Sequence, residues 1–111
     1  MRGQPVSRET RKADLVVVAA RYAPADGRLQ VAQAYQRRGP VWGDLILMDR
    51  PTLVEALVSR RKVFAGRPRD LSHDFEMFHA IGLEPHNGDP YVRAVGSVDP
   101  SGGDSLGVPL F

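Results

Sequence analysis

The chain has 111 residues, of which 42% are hydrophobic and 25% are charged, and its formal net charge is +2. This length and composition indicate one globular domain with a single core, and they argue against disorder along the whole chain. Cysteine is absent, which excludes a disulfide scaffold and thiolate metal sites and fits a reducing, cytoplasmic location.

The first part of the chain predicts a basic arm followed by a β-hairpin. Residues 1–13 are polar and basic without periodicity, as is typical of a flexible arm. The runs Asp14–Tyr22 and Arg28–Arg38 are separated by a turn that contains Asp26-Gly27, which favours two antiparallel strands. No apolar run approaches the ~20 residues of a membrane-spanning helix, so we expect no membrane partner.

The middle of the chain predicts a short strand and the main helix. Asp44–Met48 has the composition of a short buried strand. Asp49 is a suitable N-cap and Pro51 suits a first helical turn, so we expect a helix from Pro51 to about Arg61. Its apolar stripe would consist of Leu53, Val54, Leu57 and Val58.

The residues beyond the helix predict further short strands. Val63–Ala65 has strand composition and leads into a predicted turn at residues 66–69. Residues 74–83 fit either a strand or a helix capped by Ser72. We favour the strand, because Val63–Ala65 needs a pairing partner. Tyr91–Val95 predicts an edge strand.

The predicted fold class is therefore α+β. We expect a small mixed or antiparallel β-sheet with an N-terminal hairpin, packed on one main helix, with flexible termini. The predicted organisation is a basic arm over residues 1–13, one α+β domain over residues 14–96, and a Gly/Ser-rich tail with an apolar tip over residues 97–111.

Basic and acidic side chains are unevenly distributed along the chain. Residues 1–69 carry 14 basic and 6 acidic side chains, whereas residues 70–111 carry 1 basic and 7 acidic ones. This asymmetry favours a basic surface that meets an anionic partner, either nucleic acid or an acidic protein surface. The alternative is that folding interleaves the two halves into a mixed surface. We interpret the protein as a small non-enzymatic nucleic-acid-binding module, for DNA or RNA.

The candidate nucleic-acid-binding residues combine cationic groups that contact phosphates with an indole that stacks on a base. They are Arg37, Arg38, Trp42, Arg60, Arg61, Lys62, Arg67 and Arg69. The trio Gly66-Arg67-Pro68 resembles the centre of an AT-hook, and this likeness implies a minor-groove contact. The other interpretation is that Trp42 is a core residue and that the arginines are solvated.

The tail suggests the alternative function, a protein-interaction subunit that docks through this tail or through a sheet edge. Its apolar tip resembles the short docking tails of bacterial replication and repair proteins, such as those of single-stranded DNA-binding proteins and sliding-clamp ligands, which implies a protein partner. The candidate docking residues are Leu106, Pro109, Leu110 and Phe111. Such tips also fold back on their own domain, and a homo-oligomer is compatible with the sequence.

Motifs for cofactor binding are absent from the sequence. It contains no P-loop and no dinucleotide fingerprint, and its serines fall mostly in polar ends or turns. On a strand, His73 and His79 would lie about 20 Å apart, too far to share a metal ion. We therefore expect no catalytic residue, metal or cofactor. An enzyme whose site includes His73 or His79 is the third alternative.

Overall fold

The computed structural model describes residues 13–39, 41–68, 75–85, 90–95 and 103–111. These residues contain six strands and one helix: β1 (Leu15–Tyr22), β2 (Leu29–Arg38), β3 (Val41–Asp49), α1 (Arg50–Val58), β4 (Val63–Pro68), β5 (Phe75–Glu84) and β6 (Tyr91–Ala94). The strands form one sheet in the order β3-β2-β1-β4-β5-β6, and all neighbours are antiparallel except β1 and β4. This small domain with a mixed sheet and one helix confirms the α+β class.

Strand β1 lies in the middle of the sheet because its sequence is apolar on both sides. Leu15 and Val17 belong to the main core, to which α1 contributes Leu53. Val16 belongs to a second cluster, which also contains Phe75. A strand that is buried on both faces carries a continuous apolar run instead of an alternating pattern.

Helix α1 begins where its cap predicts and ends earlier than expected. The Asp49 side chain accepts a hydrogen bond from the Thr52 N–H at 3.0 Å, which satisfies one free donor of the first turn. Leu53 is fully buried, but Val58 is 67% exposed, so the predicted apolar stripe is wrong at its last position. The helix stops at Val58 because Arg60 takes a left-handed conformation. Nothing in the described ranges forms a helix with the length and apolar character that crossing a bilayer requires.

Two strands differ from their predictions. β3 was expected as a short buried strand, but it has nine residues and lies at the edge of the sheet, with Leu47 65% exposed. The turn expected at residues 66–69 is wrong for residues 66–68, because β4 continues to Pro68 through a β-bulge between Ala65 and Gly66. The strand interpretation of residues 74–83 is confirmed by β5.

A single carboxylate shows that the sheet curls strongly. Asp104 Oδ2 accepts a hydrogen bond from the Leu29 N–H in β2 at 2.6 Å, and Oδ1 accepts one from the Val92 N–H in β6 at 2.9 Å. In a flat sheet, four strand spacings would place β2 and β6 about 19 Å apart. Because one carboxylate bonds to both strands, the sheet must bend until β6 faces the start of β2.

Residues 103–111, which we call the closing segment, lie between β6 and β1. Ser105 is bridged to Arg93 in β6, and Leu110 is bridged to Ala20 in β1. Leu106 lies between these bridges and is fully buried in the main core. This part of the predicted tail is therefore packed on the domain. Residues 1–12 and 96–102 lie outside the described residues, so the predicted domain boundaries stay predictions.

Candidate functional site

Two basic segments of the sequence meet at one end of the sheet, on either side of Asp14. The Asp14 carbonyl accepts a hydrogen bond from the Arg37 N–H at 2.9 Å, and the Asp14 N–H donates to the Lys62 carbonyl at 2.7 Å. The Asp14 carboxylate also accepts from the Lys62 N–H at 2.8 Å. We call the surface formed by Arg37, Arg38, Arg60, Arg61 and Lys62 the basic end. Adjacent strands are about 4.8 Å apart, so its two halves lie roughly 10 Å apart.

Within the basic end, the Arg37 side chain is engaged in hydrogen bonds and an ion pair. Its guanidinium donates from Nε to the Ala13 carbonyl at 2.8 Å and from Nη1 to the Gly39 carbonyl at 2.9 Å. Nη2 lies 3.3 Å from Asp14 Oδ1. These contacts fix the chain entering β1 against the end of β2. Arg37 therefore positions the basic end, and much of its hydrogen-bonding capacity is already used.

Arg38 is exposed and lies across the edge strand. A Cβ atom at Gly43 would lie 3.0 Å from Arg38 Nε and 3.3 Å from Cδ, so the absence of a side chain at Gly43 makes room for the arginine. The Arg38 side chain forms no hydrogen bond or ion pair with the described residues. Its cation is therefore available to a solvent-borne anion.

The turn after α1 carries three consecutive cations in an unusual conformation. Arg60 has φ +64°, and it is the only described residue other than glycine with a positive φ. The Arg60 N–H donates to the Leu57 carbonyl at 3.1 Å, and the Arg61 N–H donates to the Ala56 carbonyl at 3.0 Å. This pattern is a Schellman motif, in which glycine normally occupies the left-handed position. Within the described chain, the side chains of Arg60, Arg61 and Lys62 form no hydrogen bond or ion pair.

Arg67, one of the predicted binding residues, does not join this surface. Arg67 lies at the other end of β4, about 16 Å from Lys62 at the rise of a strand, and Nε forms an exposed ion pair with Glu76 at 2.6 Å. The AT-hook-like trio Gly66-Arg67-Pro68 is paired with β5 and is not a free arm, so the structure offers no support for that likeness. Arg69 lies outside the described residues.

Trp42 is partly buried and packs against an aromatic cluster beside the basic end. Its ring meets Phe75 edge-on, with ring centroids 5.0 Å apart, in the cluster that also includes Tyr35. The indole Nε1 is buried and has no hydrogen-bond partner among the described residues. Stacking of Trp42 on a base would therefore require the ring to leave this cluster.

The predicted docking residues are divided between the core and the surface. Leu106 is fully buried, and the Pro109 carbonyl accepts a hydrogen bond from the Ala20 N–H at 2.9 Å. Leu110 is 72% exposed. Phe111 is partly covered by Arg21, whose guanidinium carbon lies 4.8 Å from the ring centroid. Pro109, Leu110 and Phe111 therefore present apolar surface to a partner, whereas Leu106 does not.

Sequence analysis missed the buried charges that hold the closing segment. The Asp104 side chain is fully buried, and its Oδ2 lies 2.8 Å from Arg50 Nε, which is itself largely buried. Burial by itself would raise the pKa of Asp104, but hydrogen bonds from Arg50 and from the Leu29 and Val92 N–H groups lower this pKa below its ordinary value. No local signal could identify this pair, because 54 residues separate its members.

Two polar side chains hold the backbone of Leu106. The Tyr22 hydroxyl accepts a hydrogen bond from the Leu106 N–H at 2.9 Å, and His79 Nε2 donates to the Leu106 carbonyl at 2.8 Å. Burial raises the pKa of Tyr22, an effect that the hydrogen bond from Leu106 partly offsets. His79 therefore serves the closing segment, and across the described ranges no three acidic or histidine side chains gather as metal ligands. His73 lies outside these ranges.

Comparisons with protein-family models, with curated proteins and with solved structures find no match for this chain. Function is therefore inferred from the geometry of the basic end and of the closing segment.

Proposed function

We propose that the protein is a non-enzymatic nucleic-acid-binding module and that the basic end is its phosphate-binding surface. The observation that carries this proposal is the meeting of two basic segments, far apart in sequence, on either side of Asp14. Asp14 neutralises one of the cations, Arg37, and leaves the others without an anionic partner in the described chain. The surface therefore has a net positive charge.

The chemistry of the basic end suits phosphates better than individual bases. Guanidinium and ammonium groups on a solvent-facing turn neutralise phosphates and release counterions, which gives affinity that depends on salt and not on sequence. Four cations would give a slope of about −3.6 for log K against log salt on duplex DNA. The described residues place no fully exposed aromatic ring at this surface, so the proposed contact does not include base stacking on Trp42.

The backbone of Arg60 also supports a binding role. A left-handed conformation costs a residue with a Cβ atom about 1–2 kcal/mol, and strained residues of this kind cluster at functional sites. Glycine would fit the same position without the cost. The arginine brings a cation to the tip of the turn, and phosphate binding is a physical reason for its presence there.

The proposal is tested by fluorescence polarisation with labelled single- and double-stranded DNA and RNA at low and moderate salt. We expect the wild-type chain to bind unrelated sequences, with affinity that falls steeply as salt rises. Replacing Arg60, Arg61 and Lys62 together with glutamine should abolish most of this binding.

The control is Arg67→Gln, which removes an exposed cation at the far end of β4. We expect this control to bind like the wild type. Equal losses in the two variants would point to general charge instead of the basic end. Binding that is absent in the wild type, or insensitive to salt, would reject the function.

A second candidate function, a protein-interaction subunit, is favoured by the edge strand β3. This strand is paired only with β2 among the described residues, and it exposes Leu45 by 44% and Leu47 by 65% on one face. An apolar edge strand is a template for pairing with a strand of another chain. The pairing of β3 with β2 is irregular between Tyr35 and Arg37, so the longest regularly paired stretch of β3 is residues 45–49. We expect a partner strand to dock on this regular stretch.

A further inference from the structure

The closing segment is held as a peptide ligand is held at a sheet edge. Its backbone adds to both sides of an opening in the curled sheet: the Ser105 N–H donates to the Val92 carbonyl in β6 at 2.8 Å, and Pro109 accepts from Ala20 in β1 at 2.9 Å. Backbone pairing of this kind supplies affinity in strand-addition complexes, whereas side-chain pockets supply specificity. We call the site that receives residues 103–111 the closing groove.

Specificity in the closing groove would come from three residues of the segment. The Asp104 carboxylate is fully buried against Arg50, and the Leu106 side chain is fully buried in the core. At Gly107, φ is +69°, and a Cβ atom would lie 2.7 Å from the His79 ring. The groove therefore selects the pattern Asp-x-Leu-Gly.

No contact in the closing groove requires the segment to belong to the same chain. Some of the bonds join residues far apart in sequence, such as Leu29 and Asp104, which are separated by 75 positions, and others join the segment to β6, as Asp104 and Val92 are joined across 12 positions. The stretch that precedes the segment, residues 96–102, consists of Gly, Ser, Val, Asp and Pro. Exchange of such an element between two copies keeps every contact and changes only the connection.

We propose that the closing groove is a peptide-binding site and that a second copy of this chain supplies its ligand, the segment Gly103–Phe111. The ion pair between Asp104 and Arg50, which lies within one molecule in the closed form, would then connect two molecules. Within one molecule the tether raises the local concentration of the segment to the millimolar range, so the closed form dominates in dilute solution. Exchange becomes significant only when the protein concentration approaches that range.

The test measures binding of a fluorescent peptide with the sequence of residues 103–111 to the full-length chain. The chain variant Leu106→Val weakens its own segment and leaves the groove intact. We expect this variant to bind the peptide several-fold more tightly than the wild type does, because the variant's own segment has lost one buried methylene and competes less well. A peptide in which the aspartate is replaced by asparagine should bind at least tenfold more weakly. Sedimentation of the wild-type chain should show dimers that increase with concentration.

Each result decides between the alternatives. Lack of saturable peptide binding by Leu106→Val up to about 1 mM, the effective concentration of a short tether, overturns the peptide site. If Leu106→Val does not fold alone, recovery of its circular dichroism on adding the peptide supports the site, and no recovery overturns it. A wild-type chain that stays monomeric up to about 1 mM overturns the second copy as the source of the ligand.

Discussion

Replacing Arg60 with glycine should make the protein more stable and a weaker binder at the same time. Arg60 occupies the left-handed position of the Schellman motif after α1, and its side chain is exposed. The substitution removes the backbone strain together with one cation of the basic end. It therefore separates the contribution of this residue to folding from its proposed contribution to phosphate binding.

The expected gain in stability follows from two opposing effects. A left-handed conformation costs arginine about 1–2 kcal/mol, a cost that glycine does not have. Glycine loses about 0.5–1 kcal/mol more backbone entropy on folding. Arg60→Gly should therefore raise the free energy of unfolding by about 0.5–1 kcal/mol, which for a domain of this size raises Tm by roughly 2–6 °C.

Thermal unfolding followed by circular dichroism measures the first effect, and polarisation titrations measure the second. Loss of one phosphate contact should make the slope of log K against log salt shallower by about 0.9. The control Arg60→Ala removes the same cation but keeps the strain, so it should lose the same affinity without a gain in Tm. A lower Tm for Arg60→Gly would refute the strain argument, and unchanged binding would show that Arg60 contacts no phosphate.

The remaining predictions concern the closing segment and the sheet edge. Asp104→Asn should lower the free energy of unfolding by about 3 kcal/mol near neutral pH, since one partner of a buried ion pair is lost. Because the pKa of Asp104 is lowered on folding, its carboxylate stabilises the wild type at pH values above its ordinary pKa of 3.8. This stabilisation is lost as the pH falls through the lower pKa of the folded state. Urea unfolding at several pH values should therefore show a flatter acid dependence in the variant. If β3 docks a protein, Leu47→Asp should abolish capture of that partner by the tagged chain. Val58→Asp, at a position exposed to a similar extent, should not.

Features that depend on neighbouring residues could be predicted from the sequence, whereas features that depend on distant contacts could not. The start of α1 was predictable because Asp49 and Pro51 act within one turn. Its end was not, because an arginine in a left-handed conformation carries no sequence signal. The paired strands around residues 63–84 followed from their composition, but the β-bulge that extends β4 did not.

The candidate site shows the same division. Charge counting predicted a basic surface, but it could not show that Asp14 brings Arg37 and Lys62 together. Nor could it show that Trp42 packs on Phe75. The closing segment looked like a linker, because a carboxylate in a Gly/Ser-rich stretch is usually solvated. Asp104 is buried instead, since its partners come from β2, β6 and the start of α1.

The basic end and the closing groove lie at opposite ends of β1, so the two proposals are physically separate. Asp14 precedes the strand, while Ala20 bonds to the closing segment, and six residues at about 3.3 Å each place them roughly 20 Å apart. They share no described contact, and substitutions at such distances usually have additive effects on stability. We therefore expect an Arg60 variant to lose oligonucleotide binding without release of the closing segment. Peptide binding by a Leu106 variant likewise does not depend on the cations at the other end of the strand.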